Sequence, residues 1–175
     1  MKKAVIEQLV LGMVGTNTWL IKNKENGELL IVDPADESAR IEEKINRMGG
    51  KPVAILLTHG HFDHMLAADD LRDEYGIPVI ACAAEQQVLT DAMKNLSGSW
   101  ASAHVLLADQ WVCDGKNWIL QDFPLKSSTH RDIRREAAVI ICRKKKCSSP
   151  EIRCLHRVLE ERISRREAVP ICRRV

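Results

Sequence analysis

The chain contains 175 residues with a mass of 19.7 kDa, a size that fits one domain and excludes repeat arrays and multidomain proteins. Hydrophobic residues make up 45% of the sequence, and no apolar run approaches the ~20 residues that cross a bilayer, so we expect a soluble protein without a membrane partner. The first residues are charged but lack the apolar segment of a secretory signal, which predicts a cytoplasmic protein.

The net charge of +2 is distributed unevenly along the chain. Residues 1–125 contain 11 Lys and Arg against 18 Asp and Glu, whereas residues 126–175 contain 15 against 6. All nine glycines lie in the first part, although compact α/β folds use glycine wherever the backbone takes a positive φ. We therefore expect residues 1–126 to form the folded portion of a domain and residues 127–175 to be a tail of different origin.

Three apolar, β-branched segments open the chain, and turn residues separate them. The predicted strands are Val5–Val10, Thr18–Lys22 and Glu28–Val32. Asn26-Gly27 between the second and third is a strong signal for a hairpin turn. This part of the sequence predicts an antiparallel β-meander.

The hydrophobic period then changes from that of a strand to that of a helix. Ile41 and Ile45 lie four residues apart within Ser38–Met48, and Gly49-Gly50 follows as a helix stop. The continuous apolar run at 53–57 is typical of a strand that is buried on both faces.

Helices and strands continue to alternate in the rest of the first part. The predicted elements are a helix Met65–Tyr75, a strand Pro78–Ala81, a helix Glu85–Leu96 and, after a turn at Asp114-Gly115, a strand Trp118–Leu125. This alternation predicts the α/β class.

The segment Thr58–His64 follows the buried strand and carries three imidazoles and a carboxylate. In an extended stretch His59 and His61 point to the same side, and a turn into the next helix brings Asp63 and His64 to a second point nearby. One segment can therefore offer two ligands to each of two metal ions. Imidazole and carboxylate groups suit Zn²⁺, and also Fe or Mn, while the absence of thiolates argues against a closed structural site of cysteines.

A histidine-rich surface loop is the alternative interpretation of this segment. Four potential ligands at the end of a buried strand favour the metal site, because α/β folds place their ligands there. On that interpretation Gly60 leaves room between the ligands.

The string Thr-His-Gly-His-Phe-Asp-His at 58–64 resembles the HxHxDH signature of the metallo-β-lactamase fold hydrolases. Its context resembles the glyoxalase II-like, or hydroxyacylglutathione hydrolase-like, branch of that family, on the segments 17–21, 30–34, 55–57 and 114–115. The resemblance covers about residues 4–125.

This resemblance implies an αββα sandwich with a dinuclear site at the edge of the two sheets. His59 and His61 would bind the first ion, and Asp63 and His64 the second, with Asp63 also the candidate catalytic carboxylate. An intact site would hold two zinc ions, with Fe or Mn as alternatives. A metal-bound hydroxide would hydrolyse a small-molecule thioester or ester.

Asp33 matches an aspartate beside the site in the family, which implies that it orients a metal ligand. The alternative is a carboxylate that caps the turn before the helix at Ser38.

The tail departs from the family pattern. The family has a His in Gly-His-Thr, a bridging Asp in Gly-Asp-Thr and a final His downstream, and residues 127–175 contain none of these in context. With wobble bases chosen to fit, a shifted reading frame from Ser127 gives both segments in the family's order. We interpret residues 127–175 as an out-of-frame translation, which leaves the metal centre incomplete and the activity of this chain in question. His130 lies out of register as a substitute ligand.

The tail has two alternative interpretations. The basic run at 143–146 could belong to a nucleic-acid-binding arm, but no aromatic residue interleaves the basic positions to stack on bases. A second zinc site could use Cys142, Cys147, Cys154 and His156, whose spacings include no CxxC pair.

The sequence thus predicts a cytoplasmic zinc-dependent hydrolase that acts on hydroxyacylglutathione-type thioesters. The alternatives are a non-catalytic metal-binding remnant of such an enzyme and a basic-tailed nucleic-acid-binding protein. Two metal ions per chain would indicate the enzyme, and one or fewer the remnant.

Overall fold

A computed structural model describes residues 4–100, 102–113, 117–120, 123–130 and 137–142 of the chain. The described strands are β1 (Ala4–Leu11), β2 (Thr16–Asn23), β3 (Glu28–Val32), β4 (Lys51–Leu56), β5 (Val79–Cys82), β6 (Gln110–Val112), β7 (Asn117–Leu120), β8 (Phe123–His130) and β9 (Ala137–Cys142). The helices are α1 (Ser38–Met48), α2 (Ala68–Tyr75), α3 (Gln86–Leu89) and α4 (Ser97–Trp100), with single 3₁₀ turns at Phe62–His64 and Ala83–Glu85. No helix in these ranges is both long and apolar enough to cross a membrane.

The first six strands form one sheet in chain order, and β7, β8 and β9 form a second. Strands β1, β2 and β3 pair antiparallel, as the predicted meander requires, and β3 to β6 run parallel. The carboxyl ends of these four parallel strands therefore meet at one edge of the first sheet, where α/β folds place their ligands.

The central strands of the first sheet are buried on both faces, since successive side chains point in opposite directions. On β3, Leu29 and Ile31 face the helices, where they pack with Ile41, Ile45 and Leu71. This core holds α1 and α2 against the sheet.

The other face of the first sheet packs against the second sheet. Leu30, Val32 and Leu56 from the first sheet share a core with Phe123 and Leu125 of β8. The described residues thus form three layers, helix, sheet and sheet. The second helical layer of the predicted αββα sandwich, and residues 143–175 of the predicted tail, lie outside the described residues.

The predicted helix Glu85–Leu96 is wrong as a continuous element. Helix α3 stops at Leu89, and the Asp91 carboxylate then accepts hydrogen bonds from the backbone N–H groups of Met93 and Lys94. Short polar side chains that bond the nearby backbone compete with the helix in this way. Leu96 follows with a φ of 71°, which no helix accommodates.

The predicted strand Trp118–Leu125 is also wrong, because it joins two strands. Leu120 of β7 pairs with Phe123 of β8 in an antiparallel register, so these residues belong to two strands that run in opposite directions. Both strands are apolar, so in the sequence they resemble one continuous strand. The predicted turn at Asp114-Gly115 lies outside the described residues.

The predicted helix Met65–Tyr75 begins later than expected, at Ala68. The Ala67 N–H donates to the carbonyl of Pro34 at 3.1 Å, which holds the residues before the helix against the end of β3. The Met65 side chain is fully buried in the helix-side core.

Phe123 is the largest fully buried side chain between the two sheets, so we expect Phe123→Ala to lower the free energy of unfolding by about 3–5 kcal/mol and Phe123→Leu by about 1 kcal/mol. Urea denaturation measures both. Trp100→Ala is the matched control, because that ring is 70% exposed and its loss is expected to change stability by less than about 0.5 kcal/mol. Equal effects of Phe123→Ala and Trp100→Ala would contradict the packing of the second sheet on the first.

Candidate metal centre

Three polar segments follow three neighbouring parallel strands at the same edge of the first sheet. Asp33 follows β3, the histidine-bearing segment Thr58–His64 follows β4, and Glu85 follows β5. The predicted site residues Asp33, His59, His61, Asp63 and His64 are therefore brought to one edge by the sheet itself.

The Asp33 carboxylate holds the beginning of the histidine-bearing segment. Thr58 donates its backbone N–H to Asp33 Oδ1 at 2.8 Å and its hydroxyl to Oδ2 at 2.6 Å, and Asp33 is only 3% exposed. His64 Nδ1 lies 3.0 Å from Asp33 Oδ2. The capping alternative is not what the structure shows, since α1 begins without a side-chain cap and both Asp33 oxygens contact Thr58.

The three histidine rings form one cluster. The ring centroids of His59 and His61 are 4.8 Å apart, and those of His59 and His64 are 4.0 Å apart. Thr58 Oγ1 lies 3.1 Å from His59 Nδ1. Because the single hydroxyl proton is donated to Asp33, Oγ1 can only accept from Nδ1–H, which leaves the Nε2 lone pair of His59 available to a metal.

Asp63 is held from the amino end of β2, where Thr16 Oγ1 donates to Asp63 Oδ2 at 2.5 Å. The same oxygen lies 3.6 Å from His64 Nε2. Zinc bonds of about 2.0–2.2 Å in a tetrahedral arrangement place two donor atoms roughly 3.4 Å apart. The spacing of Asp63 Oδ2 and His64 Nε2 therefore fits two donors to one ion.

The imidazole and carboxylate donors of the cluster fit zinc, but the described residues do not form a complete coordination site. Within the ranges that the structure describes, no group of three or more His, Cys, Asp or Glu side chains is arranged to hold one ion. His130, the substitute considered from the sequence, ends β8, and its side chain is not among those described.

Burial lowers the pKa of His59 well below its ordinary value of 6.5, and the neighbouring imidazoles of His64 and His61 lower it further. His59 keeps only a partly exposed edge. A neutral imidazole is the form that binds a metal ion, so this environment prepares His59 for ligation.

Glu85 and Asn95 are site residues that the sequence analysis missed. Glu85 Oε2 accepts a hydrogen bond from Gly60 N–H at 2.9 Å, and the Asn95 carbonyl accepts one from Phe62 N–H at 3.0 Å. The signal for Glu85 was its place three residues after the end of a parallel strand, whereas Asp33 directly follows one. Asn95 carried no comparable signal.

Gly60 has a second structural reason in addition to the predicted one. A Cβ at this position would lie 3.0 Å from both the backbone nitrogen of Leu89 and the Cβ of Val88. Glycine is needed because α3 packs directly on the loop, and not only to separate the ligands.

The chain was compared with protein families, and the model of the metallo-beta-lactamase superfamily matches residues 11–130. The chain belongs to this superfamily. The expected α/β metallo-β-lactamase fold is thereby confirmed over about the first 130 residues.

Among curated relatives, the probable metallo-hydrolase YqgX of Bacillus subtilis is 37% identical over 91 residues, which cover 52% of this chain and 42% of that protein. The hydroxyacylglutathione hydrolase GloC of Haemophilus influenzae is 26% identical over 83 residues, covering 46% of this chain and 39% of that protein. This chain thus spans about two fifths of the length of these relatives.

Among solved structures, the BLEG-1 B3 metallo-beta-lactamase is similar with a TM-score of 0.72 and 27% identity, over 79% of this chain and 67% of that one. The class B3 di-zinc metallo-beta-lactamase LRA-12, from an Alaskan soil metagenome, gives a TM-score of 0.61 at 21% identity, over 76% and 53%. The second likeness shows the fold alone.

The lowered pKa of His59 predicts that the metal-free chain loses stability as the pH falls. The unfolded chain takes up a proton at His59 as the pH drops through about 6.5, whereas the folded chain does not until the pH is much lower, so unfolding becomes more favourable. One such proton contributes at most about 1.4 kcal/mol per pH unit.

Urea denaturation of the chelator-treated chain between pH 7.5 and 5.5 measures this dependence. His59→Gln is expected to show a shallower loss of stability, because it removes one of the protons taken up on unfolding. Identical pH dependence in the two proteins would show that His59 is not kept neutral by the fold.

Proposed function

We propose that this chain is part of a zinc-dependent hydrolase in which His59 and His61 bind one ion, and Asp63 and His64 a second. The observation that carries the proposal is the cluster of these side chains at the carboxyl edge of the first sheet, in a chain of the metallo-beta-lactamase superfamily. Zinc supplies a Lewis acid that lowers the pKa of a coordinated water to about 7 and polarises a carbonyl.

The chain's own residues supply orientation and charge. Asp33 and Thr58 fix the orientation of the His59 ring, because His59 Nδ1 is hydrogen-bonded to the Thr58 hydroxyl and Nε2 is left for a metal ion. Thr16 restrains the carboxylate of Asp63 through its hydroxyl. Such outer contacts set the position and basicity of ligands before an ion arrives.

We propose a hydroxyacylglutathione-type thioester as the substrate. The support is the similarity to the hydroxyacylglutathione hydrolase of Haemophilus influenzae, and the small-molecule nature of the substrate follows from the family. A β-lactam is the second candidate, since the B3 metallo-beta-lactamase BLEG-1 shares the fold at 27% identity.

We also propose that residues 127–175 are read out of frame. The match to the superfamily ends at residue 130, about four residues after the point where the charge becomes strongly positive, and the last glycine of the chain is Gly115. An intact gene would then encode the additional His and Asp ligands that the family places downstream.

The zinc content of the full chain tests the metal site. After chelation and dialysis against zinc, we expect at least one ion per chain by elemental analysis, and a loss of at least half of that zinc in His59→Ala and His61→Ala. His104→Gln is the matched control, because His104 lies outside the cluster, and it should retain the wild-type content. Zinc content that is the same in all four proteins would contradict the ligand assignment.

Hydrolysis assays of the zinc-loaded chain separate the candidate functions. Two ions per chain with turnover of a hydroxyacylglutathione thioester, and none of a chromogenic β-lactam, would support the thioester hydrolase. One ion or fewer without turnover would favour the non-catalytic remnant for this chain. Salt-dependent retention on a phosphate-rich column, lost on deletion of residues after 126, would favour the nucleic-acid-binding alternative.

Resequencing the gene across the codons for residues 126–128 tests the reading frame. We expect one additional nucleotide that restores Gly-His-Thr and Gly-Asp-Thr segments and continues the match to the family. If resequencing finds no additional nucleotide, this proposal is overturned, and the described ligands lack the downstream ligands of the family.

A further inference from the structure

The loop that carries His59 and His61 donates two hydrogen bonds to the segment that follows β5. The N–H of Gly60 donates to Glu85 Oε2 at 2.9 Å, and the N–H of Phe62 donates to the Asn95 carbonyl at 3.0 Å. The two restrained amides alternate along the chain with the two histidines. These bonds therefore restrain rotations of the loop backbone that would move either imidazole.

Glu85 is an unusual residue for this position, because it is only 1% exposed. A carboxylate in the interior carries a large desolvation cost, and an apolar residue of similar size would avoid it. A buried N–H without an acceptor is costly. Glu85 supplies the acceptor for the Gly60 amide, and this role accounts for a polar side chain at a buried position.

The Asn95 side of the segment is anchored independently. Asn95 is fully buried, its amide nitrogen donates to the His104 carbonyl at 2.8 Å, and its amide oxygen accepts from Ser97 N–H at 2.8 Å. Ser97 Oγ accepts from His104 N–H at 2.9 Å, which closes the network. The support under the loop is thus a fixed structure.

We propose that Glu85 is a positioning residue of the metal centre, which fixes the backbone between His59 and His61 and so sets the spacing of their imidazoles for one ion. This inference rests on the proposed function for its consequence in metal binding. The hydrogen bond itself can be tested without any metal.

Packing is the competing explanation for the position of the loop. Gly60 lies against Val88 and Leu89 of α3, close enough that packing alone could hold the loop. In that case, loss of the Glu85 carboxylate would change stability without a selective effect on the Gly60 amide or on metal affinity. The two explanations therefore differ in their predicted local effects.

The test uses three variants of the full chain. Glu85→Met keeps the approximate length of the side chain and removes the acceptor, and Glu85→Gln keeps a carbonyl oxygen as an acceptor and removes the carboxyl group. Ile45→Val is the control for general loss of stability, because Ile45 is buried on α1 and its side chain carries no hydrogen-bonding group. Metal-free hydrogen exchange by NMR and cobalt titration by absorption spectroscopy are measured on each.

In the metal-free chain, we expect Glu85→Met to reduce protection of the Gly60 amide at least tenfold. Protection of the Leu57 amide, which donates to the Ile80 carbonyl at 3.0 Å, should fall no more than in Ile45→Val. Glu85→Gln should reduce protection of Gly60 by an intermediate factor, of at least threefold, and it decides the question if Glu85→Met does not fold. Unchanged protection of Gly60 in the Glu85 variants would overturn the proposal.

In the metal titration, we expect Glu85→Met to weaken cobalt binding by about 10–100-fold and to alter the cobalt absorption bands, with substantial rescue in Glu85→Gln. Equal affinities for wild type, Glu85→Met and Ile45→Val would overturn the role in metal binding. If wild type binds no cobalt or zinc, the proposed function fails, while the exchange of the Gly60 amide still decides whether Glu85 holds the loop.

Discussion

The pair of hydrogen bonds between Thr58 and the Asp33 carboxylate is the contact on which the rest of the site depends. It joins the end of β3 to the end of β4 and fixes where the histidine-bearing loop leaves the sheet. Because Asp33 accepts the hydrogen bond of the Thr58 hydroxyl, the Thr58 oxygen can only accept from His59 Nδ1–H, and Asp33 thereby determines the tautomer of His59. His64 lies against the same carboxylate. The buried Asp33 side chain therefore influences the path of the backbone, the tautomer of His59 and the position of the His64 ring.

Two of the three residues other than glycine that have a positive φ in the described part of the chain adjoin contacts of the histidine-bearing segment. Asp33 has a φ of 49° and Leu96 a φ of 71°, values that cost side-chain-bearing residues on the order of 1–3 kcal/mol. The strained backbone at Asp33 directs its carboxylate to Thr58, and that at Leu96 directly follows the carbonyl that holds Phe62 N–H. Strain at these two places is retained because hydrogen bonds on the buried loop compensate for it.

The parts of the fold that follow hydrophobic period were predictable. The spacing of Ile41 and Ile45 with a glycine stop gave α1 with its observed bounds, and Gly49 takes the left-handed conformation that such stops require. The motif at 58–64 was equally visible, because its residue types are unusual in combination. Its metal ligation remains a prediction.

The parts that depend on tertiary contacts were not predictable. Glu85 comes shortly after a predicted strand, but an ionisable residue between Ala84 and Gln86 carries no sequence signal that its side chain is buried. Its burial arises only when β5 is placed beside β4. The break after α3 likewise depends on side-chain bonds from Asp91 and Asn95, which have no periodic signature.

The two sheets contribute unequally to the candidate site. The described buried residues of the helix-side core all lie in the chain up to Ala108. They include Phe62 of the histidine-bearing segment and Met65, which follows it. The contacts of Asp33, Glu85 and Asn95 with the loop also lie entirely within that stretch. The ligand-bearing edge is therefore specified before the chain reaches the second sheet, whichever frame encodes residues 127–175. The later sequence determines the pairing of β8 with β9 and any further ligands. The scaffold of the site and the completion of the site are therefore encoded in separable parts of the chain.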